Sequence, residues 1–276
     1  MVDEMKIVGF VVVLLLILMV LYLFMVAPRL FGKPDRKPLF GVHYAHRGLF
    51  DNQSDAPENS LKAFAKAVEA GYGIELDVQL SKDKVPVVFH DASLKRMCGI
   101  DDKVWNYTLE ELQKMHLLGT EQTIPTFAQV LDTIGGKVPI IVEYKMDVPD
   151  TKVCELGDAL LQKYNGVYCI ESFHPFAVAW YKKHRPEVVR GQLAENFGKE
   201  EKYAGKLLYV FLSNLMLNFL GRPDFIAYKH QDVSQISRRF CKKLGALSVA
   251  WTIKSQEDYE KVKNDFDLFI FDSCRL

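Results

Sequence analysis

The sequence predicts an α/β domain whose parallel strands close into an eight-stranded barrel, preceded by one helix able to cross a membrane. Three observations carry this. From Gly41 onward, short apolar runs alternate with amphipathic stretches, the pattern of strands joined by crossover helices. Charged or imidazole side chains recur where several of those runs end. An uncharged apolar stretch stands apart from the alternation at residues 7–27.

At 276 residues the chain has room for one large domain and an appendage. Its 35 Lys and Arg balance 35 Asp and Glu, so there is no electrostatic case for nucleic acid as a partner. Ile7 to Ala27, "IVGFVVVLLLILMVLYLFMVA", runs for 21 residues without a charge. As a helix it is roughly 31 Å long, enough to cross a hydrocarbon core. A cleaved signal peptide has a shorter apolar region of about 7 to 15 residues, and no small-x-small site precedes "PRLFGKPDRKP". The expectation is therefore a retained anchor (residues 1–27 with the short tail), a basic, Pro-containing tether (28–40) and a single domain (41–276). Arg29, Lys33, Arg36 and Lys37 follow the helix, whereas Lys6 and the amine before it are opposed by Asp3 and Glu4. The positive-inside bias then puts the domain in the cytoplasm. Five cysteines, odd in number and without a Cys-x-x-Cys pair, suit reduced thiols.

The strand candidates are "GVHYAH", "GIELDVQL", "VPVVFH", "VPIIVEYK", "VYCIESF", "VVRGQLA", "DFIAYK", "LSVAWTI" and "FDLFIFD", nine runs for eight barrel positions. "ELDVQL" and "VPVVFH" are too close together for a crossover helix. Asn59 to Ala70 is an amphipathic helix with an Asn/Ser start and Gly71 as its stop. "TLEE", from Thr108, has capping-box form. Residues from about 91 to 136 are mostly loop and helix, an expected insertion after the third strand.

Glu75 and Asp77 lie two residues apart in "GIELDVQL", so on a strand they project from one face. Among Ile74, Leu76 and Val78 that pairing is costly unless a cation neutralises it. "VPIIVEYK" repeats the device with Glu143, and Lys145 follows on the same face. Three carboxylates of this kind form an oxygen-only site suited to one divalent cation, Mg²⁺ or Ca²⁺, and poorly suited to zinc. His46 and His90 each end an apolar run, and barrel sites collect at the carboxyl ends of strands. Two histidines, Arg47, Lys145 and a cation in one mouth suit phosphoryl chemistry, with imidazoles moving protons and the guanidinium holding phosphate oxygens.

"AHRG", "PENS", "ELDVQLSKDKVPVVFHD", "IPTFAQVL", "VEYK", "ESF" and "VAWTI" together resemble the glycerophosphodiester phosphodiesterase family, from about Gly41 to Asp272. The resemblance implies a TIM (β/α)8 barrel with a small insertion after the second catalytic histidine. It makes His46 and His90 the acid/base pair, Arg47 and Lys145 phosphate-binding, and Glu75, Asp77 and Glu143 the metal ligands. The last strand departs from it, reading "FDLFIFDSC" in place of a Gly-rich "GVDGIITD" type of ending. Phe173 and Trp251 are expected to line the substrate pocket. His174 and Lys229 are expected to be an incidental loop histidine and a solvated charge.

The implied reaction releases glycerol 3-phosphate and an alcohol, through attack of the substrate's own glycerol hydroxyl and opening of the cyclic phosphate by water. His46 is assigned as base and His90 as acid. The alternatives are a lysophospholipase D acting on membrane lysophospholipids and a silent membrane-bound lipid or phosphate sensor; intact histidines and carboxylates speak against silence. Leu207 to Leu220, "LLYVFLSNLMLNFL", spreads apolar surface around a helix, so the bilayer is expected to cover it.

Overall fold

The computed structural model describes residues 2–146, 149–203 and 205–276. All nine strand candidates form strands: β1 Tyr44–His46, β2 Gly73–Leu80, β3 Pro86–Val88, β4 Ile140–Tyr144, β5 Tyr168–Ser172, β6 Arg190–Ala194, β7 Phe225–Lys229, β8 Leu247–Ile253 and β9 Leu268–Phe271. The helices are α1 Val2–Val26, α2 Leu61–Glu69, α3 Lys95–Cys98, α4 Leu109–Leu112, α5 Phe127–Ile134, α6 Lys152–Leu161, α7 Pro175–His184, α8 Leu207–Ser213, α9 Asn218–Gly221, α10 Ile236–Lys243 and α11 Gln256–Val262. Eight strands pair in parallel in the order β1, β2, β4, β5, β6, β7, β8, β9, and β9 returns to β1. This closed parallel barrel wrapped by helices is the TIM architecture.

The ninth run is β3, which pairs antiparallel with β2, Val78 opposite Val88. β2 overshoots the rim, and the chain turns back along it. His90 therefore reaches the mouth from above, at the end of a descending strand, and not at the carboxyl end of a barrel strand as its sequence position implies. The segment expected to be an insertion divides in two. Leu94, Met97, Val104, Leu112, Leu117 and Ile124 form a small core of their own on Val87 and Phe89. α5, which follows, buries Phe127, Val130, Leu131 and Ile134 in the main core and is a barrel helix. Thr108 does make a full capping box, but α4 ends after one turn.

Strand alternation sorts the side chains. Ile74, Leu76, Val78, Ile140, Val142 and Ile170 face the helices. Tyr44, Ile141, Cys169, Val189, Phe225, Val249 and Ile270 fill the interior. Gly191 belongs to this packing, because a Cβ there would come within 2.0 Å of the Phe225 ring.

The basic segment after α1 is not a free tether. Leu39 enters the interior from below and is 2% exposed. Arg36 donates to the carbonyls of Asp224 and Gly245, Lys33 to those of Leu244 and Gly245, and Arg29 to that of Pro186. These carbonyls lie at the amino ends of the strands, so residues 28–40 form the barrel floor. The last turn of α1 is latched to the same end, with the Val26 carbonyl accepting from Asn218 and those of Phe24 and Ala27 from Arg222.

Residues 207–220 do not form one apolar helix. The chain breaks between α8 and α9 at Leu215, which takes φ +57° and is 2% exposed. Leu207, Leu208 and Val210 remain exposed. Leu215 is thus core, which corrects its expected place on a bilayer-facing surface. Leu215→Glu is expected to cost about 4 kcal/mol and lower the melting temperature by about 8 to 16 °C. Leu208→Glu is expected to stay within about 0.5 kcal/mol of the parent. A thermal melt that ranks the two the other way would place Leu215 outside the core.

Candidate active site

Inward-facing residues at the carboxyl ends of the strands converge on one cavity of about 430 Å³. His46, Arg47, Glu75, His90, Glu143, Lys145, Phe173 and Trp251, all singled out from the sequence, line it. Asp77 lies beneath, fully buried. β2 and β4 run in register with Asp77 opposite Glu143, and β1 sets His46 beside Glu75. This brings the three carboxylates together, with oxygens within 4.8 Å of one another.

Their electrostatics follow from burial. Glu75 is pushed well above the usual carboxylate range, by burial first and then by Asp77, Glu143 and Glu171. Burial also raises Glu143, with Lys145 opposing it. Burial works to raise Asp77 as well, but Lys145, His90, Arg47 and His46 outweigh it and hold the carboxyl low. The Lys145 ammonium is wedged into the cluster, 2.9 Å from Asp77 Oδ1 and 2.7 Å from Glu143 Oε2. Lys145, with Arg47 3.5 Å from Asp77 on the other side, faces the buried Glu75, Asp77, Glu143 and Glu171, which leaves the cluster short of positive charge.

Each histidine is held through Nδ1 by an aspartate. His46 Nδ1 is 3.1 Å from Asp272 Oδ2, and His90 Nδ1 is 2.6 Å from Asp91 Oδ1. With both aspartates ionised, each Nδ1 carries the donated proton and each Nε2 is left for chemistry. Burial pushes His46 down to about 4, the Asp272 hydrogen bond pulling the other way, so the imidazole is neutral near pH 7.

Arg47 sits at φ +58° and Gly48 at +84°; a Cβ on Gly48 would strike the Ala63 backbone at 2.8 Å. This bend aims the Arg47 side chain inward, where Nη1 donates to Glu58 at 2.8 Å and Nε lies 3.5 Å from Asp77. The "PENS" stretch supplies the supports. Glu58 also takes two bonds from Arg96 and one from Asn52; against burial, the Arg96 and Arg47 charges and the Asn52 amide hold it at about 2. Asn59 donates to Asp77 at 2.8 Å, and Ser60 caps α2 through the Ala63 amide.

Four residues here were missed from the sequence: Glu58, Asp91, Glu171 and Asp272. Glu171 is 1% exposed, is raised by burial and then by Glu143, and has an oxygen without a hydrogen-bond partner. It stands two residues after inward-facing Cys169, so the alternation used for Glu75 and Asp77 marks it too. Asp272 ends the run "FIFD" by the rule that found His46.

Phe173 and Trp251 meet edge to face, 5.6 Å between centroids, and form an apolar wall. Lys229 also lines the cavity but is paired with Glu195 at 2.6 Å, so it is not a solvated charge. His174 caps α7 by accepting from the Phe176 amide, away from the main cavity.

A family model of the glycerophosphoryl diester phosphodiesterases matches residues 46–274. The glycerophosphodiester phosphodiesterase of Caldanaerobacter subterraneus subsp. tengcongensis is 29% identical over 234 residues, 79% of this chain and 88% of its own. The solved glycerophosphodiester phosphodiesterase of Thermotoga maritima, 28% identical, superposes with a TM-score of 0.62 over 84% of this chain and 95% of its own. A phosphodiesterase of Oleispira antarctica, solved with the product sn-glycerol-3-phosphate, shares the fold with a TM-score of 0.68 at 24% identity over 84% of this chain and 93% of its own. With the HRG bend, the paired histidines and the strand-end carboxylates in one barrel mouth, the chain belongs to the glycerophosphoryl diester phosphodiesterase family.

Proposed function

We propose that this enzyme hydrolyses glycerophosphodiesters to glycerol 3-phosphate and an alcohol in phospholipid turnover, using His46 and His90 with one divalent cation, Mg²⁺ or Ca²⁺. The observation that carries the reading is the pair of imidazoles, each orientated by an aspartate, around a buried carboxylate cluster. Neutral His46 accepts the proton of the substrate's glycerol hydroxyl at Nε2 as that oxygen bonds to phosphorus. His90 gives a proton from Nε2 to the leaving alcohol oxygen as its bond to phosphorus breaks. Water then opens the cyclic phosphate with the two roles reversed. Arg47 faces the non-bridging oxygens, its guanidinium held in place by Glu58 and Asp77.

Glu75, Asp77 and Glu143 fit a hard cation: all are oxygen donors, buried, and short of positive charge. A bound cation supplies the charge that lets all three ionise and polarises the phosphoryl group. With a cation held there, Lys145 would be free of offsetting Asp77 and Glu143 and could face the phosphate. The Phe173 and Trp251 wall is where the leaving alcohol lies.

The helix α1 is read as a retained membrane anchor: within residues 5–26 an 18-residue window has a mean hydropathy of 3.3, and none of that window is buried. It joins the barrel at the floor, whereas the mouth lies at the other end of the strands. This favours water-soluble glycerophosphodiesters over lysophospholipids, whose acyl chain would have to leave the bilayer at about 0.8 kcal/mol per CH₂. Incubating the full chain with glycerophosphocholine, glycerophosphoethanolamine, glycerophosphoglycerol and lysophospholipids, with and without each metal, tests this. Release of glycerol and phosphocholine from glycerophosphocholine, in place of glycerol 3-phosphate and choline, would overturn the reaction assigned, and faster cleavage of lysophospholipids the substrate class.

The basic flank supports a cytoplasmic barrel. Lys37→Cys is expected to resist a membrane-impermeant thiol reagent in intact cells and to react after lysis, measured over the signal from the native cysteines. Labelling in intact cells would put the barrel outside.

A further inference from the structure

Where α1 meets the floor, a groove of about 760 Å³ opens between the helix and the barrel. One wall is apolar, made by Val20, Leu23 and Phe24 of α1 with Phe240 and Leu244 of the α10 end. Arg29, Lys182, Arg190 and Arg222 add four cations to the remaining lining, beside Leu30, Phe31 and Pro186, and among the described residues no acidic side chain lines it. The one carboxylate close behind, Asp224, lies 3.7 Å from Arg29 and 3.8 Å from Arg190. Lys182 donates to the carbonyls of Phe219 and Leu220, and Arg222 donates to those of Phe24 and Ala27 and lies 4.7 Å over the Phe24 ring. Arg190 is 2% exposed, and its Nη1 has no hydrogen-bond partner. The crowding is felt: burial lowers Lys182, and the Arg222 and Arg190 charges add to it.

We propose that this groove binds an anionic phospholipid, its phosphate held by Lys182, Arg222 and the free donor of Arg190, and an acyl chain lying along α1. The assignment rests on the reading of α1 as a membrane span. Residues 5–21 of that helix are exposed, and their length of about 26 Å is close to the thickness of a hydrocarbon core. Val20 to Ala27 then sit at the headgroup boundary, where the available anion is a lipid phosphate and the available apolar group an acyl chain. An apolar wall beside Lys182 and Arg222, which have no carboxylate partner among the described residues, is complementary to both ends of that molecule.

The test uses the full chain in nanodiscs of phosphatidylcholine with a minority of phosphatidylglycerol, with bound lipid identified by native mass spectrometry. Phosphatidylglycerol is expected to be enriched over its share of the disc. Lys182→Gln should lower that enrichment about fivefold, the effect of one lysine at a membrane surface, and Lys182→Arg should restore it. Lys183→Gln, on the same helix but outside the groove, should leave it unchanged, as should all three in hydrolysis of glycerophosphocholine. No enrichment, or equal losses from Lys182→Gln and Lys183→Gln, would overturn the site. A separate alkaline carbonate wash of cell membranes checks the anchor: a chain that washes off overturns the anchor and the lipid site together, whereas a retained chain without enrichment overturns the lipid site alone.

Discussion

His46→Ala and His90→Ala are each expected to lower turnover by about 10² to 10⁴-fold, with melting temperatures close to the parent's, because both rings border the open cavity. Asp272→Asn separates positioning from proton transfer. It replaces the charged acceptor that raises His46 from the floor set by burial with a neutral amide, so the acid limb of the pH–rate profile is expected to move down. Turnover on the plateau is still expected to fall by about 10 to 100-fold, as for other residues that orient an active imidazole. Near-parental activity in either alanine variant would remove that histidine from the reaction. An acid limb that moves up in Asp272→Asn would show that Asp272 does not support His46 as drawn.

Chelation is expected to abolish hydrolysis and to lower the melting temperature. A cation held at a hundred times its dissociation constant stabilises the fold by about 2.7 kcal/mol, so the thermal shift reports the site independently of activity. Glu75→Gln is expected to raise the metal concentration needed for half-maximal activity by about 10 to 100-fold, with activity returning at high metal. Without metal, the same variant is expected to be at least as stable as the parent, since it relieves repulsion between buried carboxylates. A chelator-indifferent enzyme, or a Glu75→Gln that melts lower without metal, would show that the cluster is structural.

Strand periodicity explains why so much of the site was legible. A period of two places Glu75 with Asp77 and Glu143 with Lys145 on the inward face without knowledge of the barrel, and a strand end marks His46. Glu171 and Asp272 obey the same rules and were within reach. Glu58 and Asp91 were harder to find: Asp91 holds the neighbouring His90 and Glu58 holds Arg47, but what fixes the two carboxylates is a side chain from the insertion. Arg96 joins them: it donates to Asp91, five residues away, at 2.7 Å and to Glu58, 38 residues away, at 2.6 Å, and no local pattern encodes the second separation.

Local sequence alone determined which runs become strands, which face of each is inward and which stretch is apolar enough to span a bilayer, because these depend on neighbours within a few residues. Only the tertiary structure decided that β3 is the strand outside the barrel, since exclusion depends on which edges are already paired. The same holds for Leu215, whose apolar character is equal to that of Leu208 but which the break at φ +57° turns into the core. It holds too for Arg29, Lys33 and Arg36. In sequence they read as a charged tether, yet the unpaired carbonyls at the barrel floor need donors, and these side chains are the ones within reach.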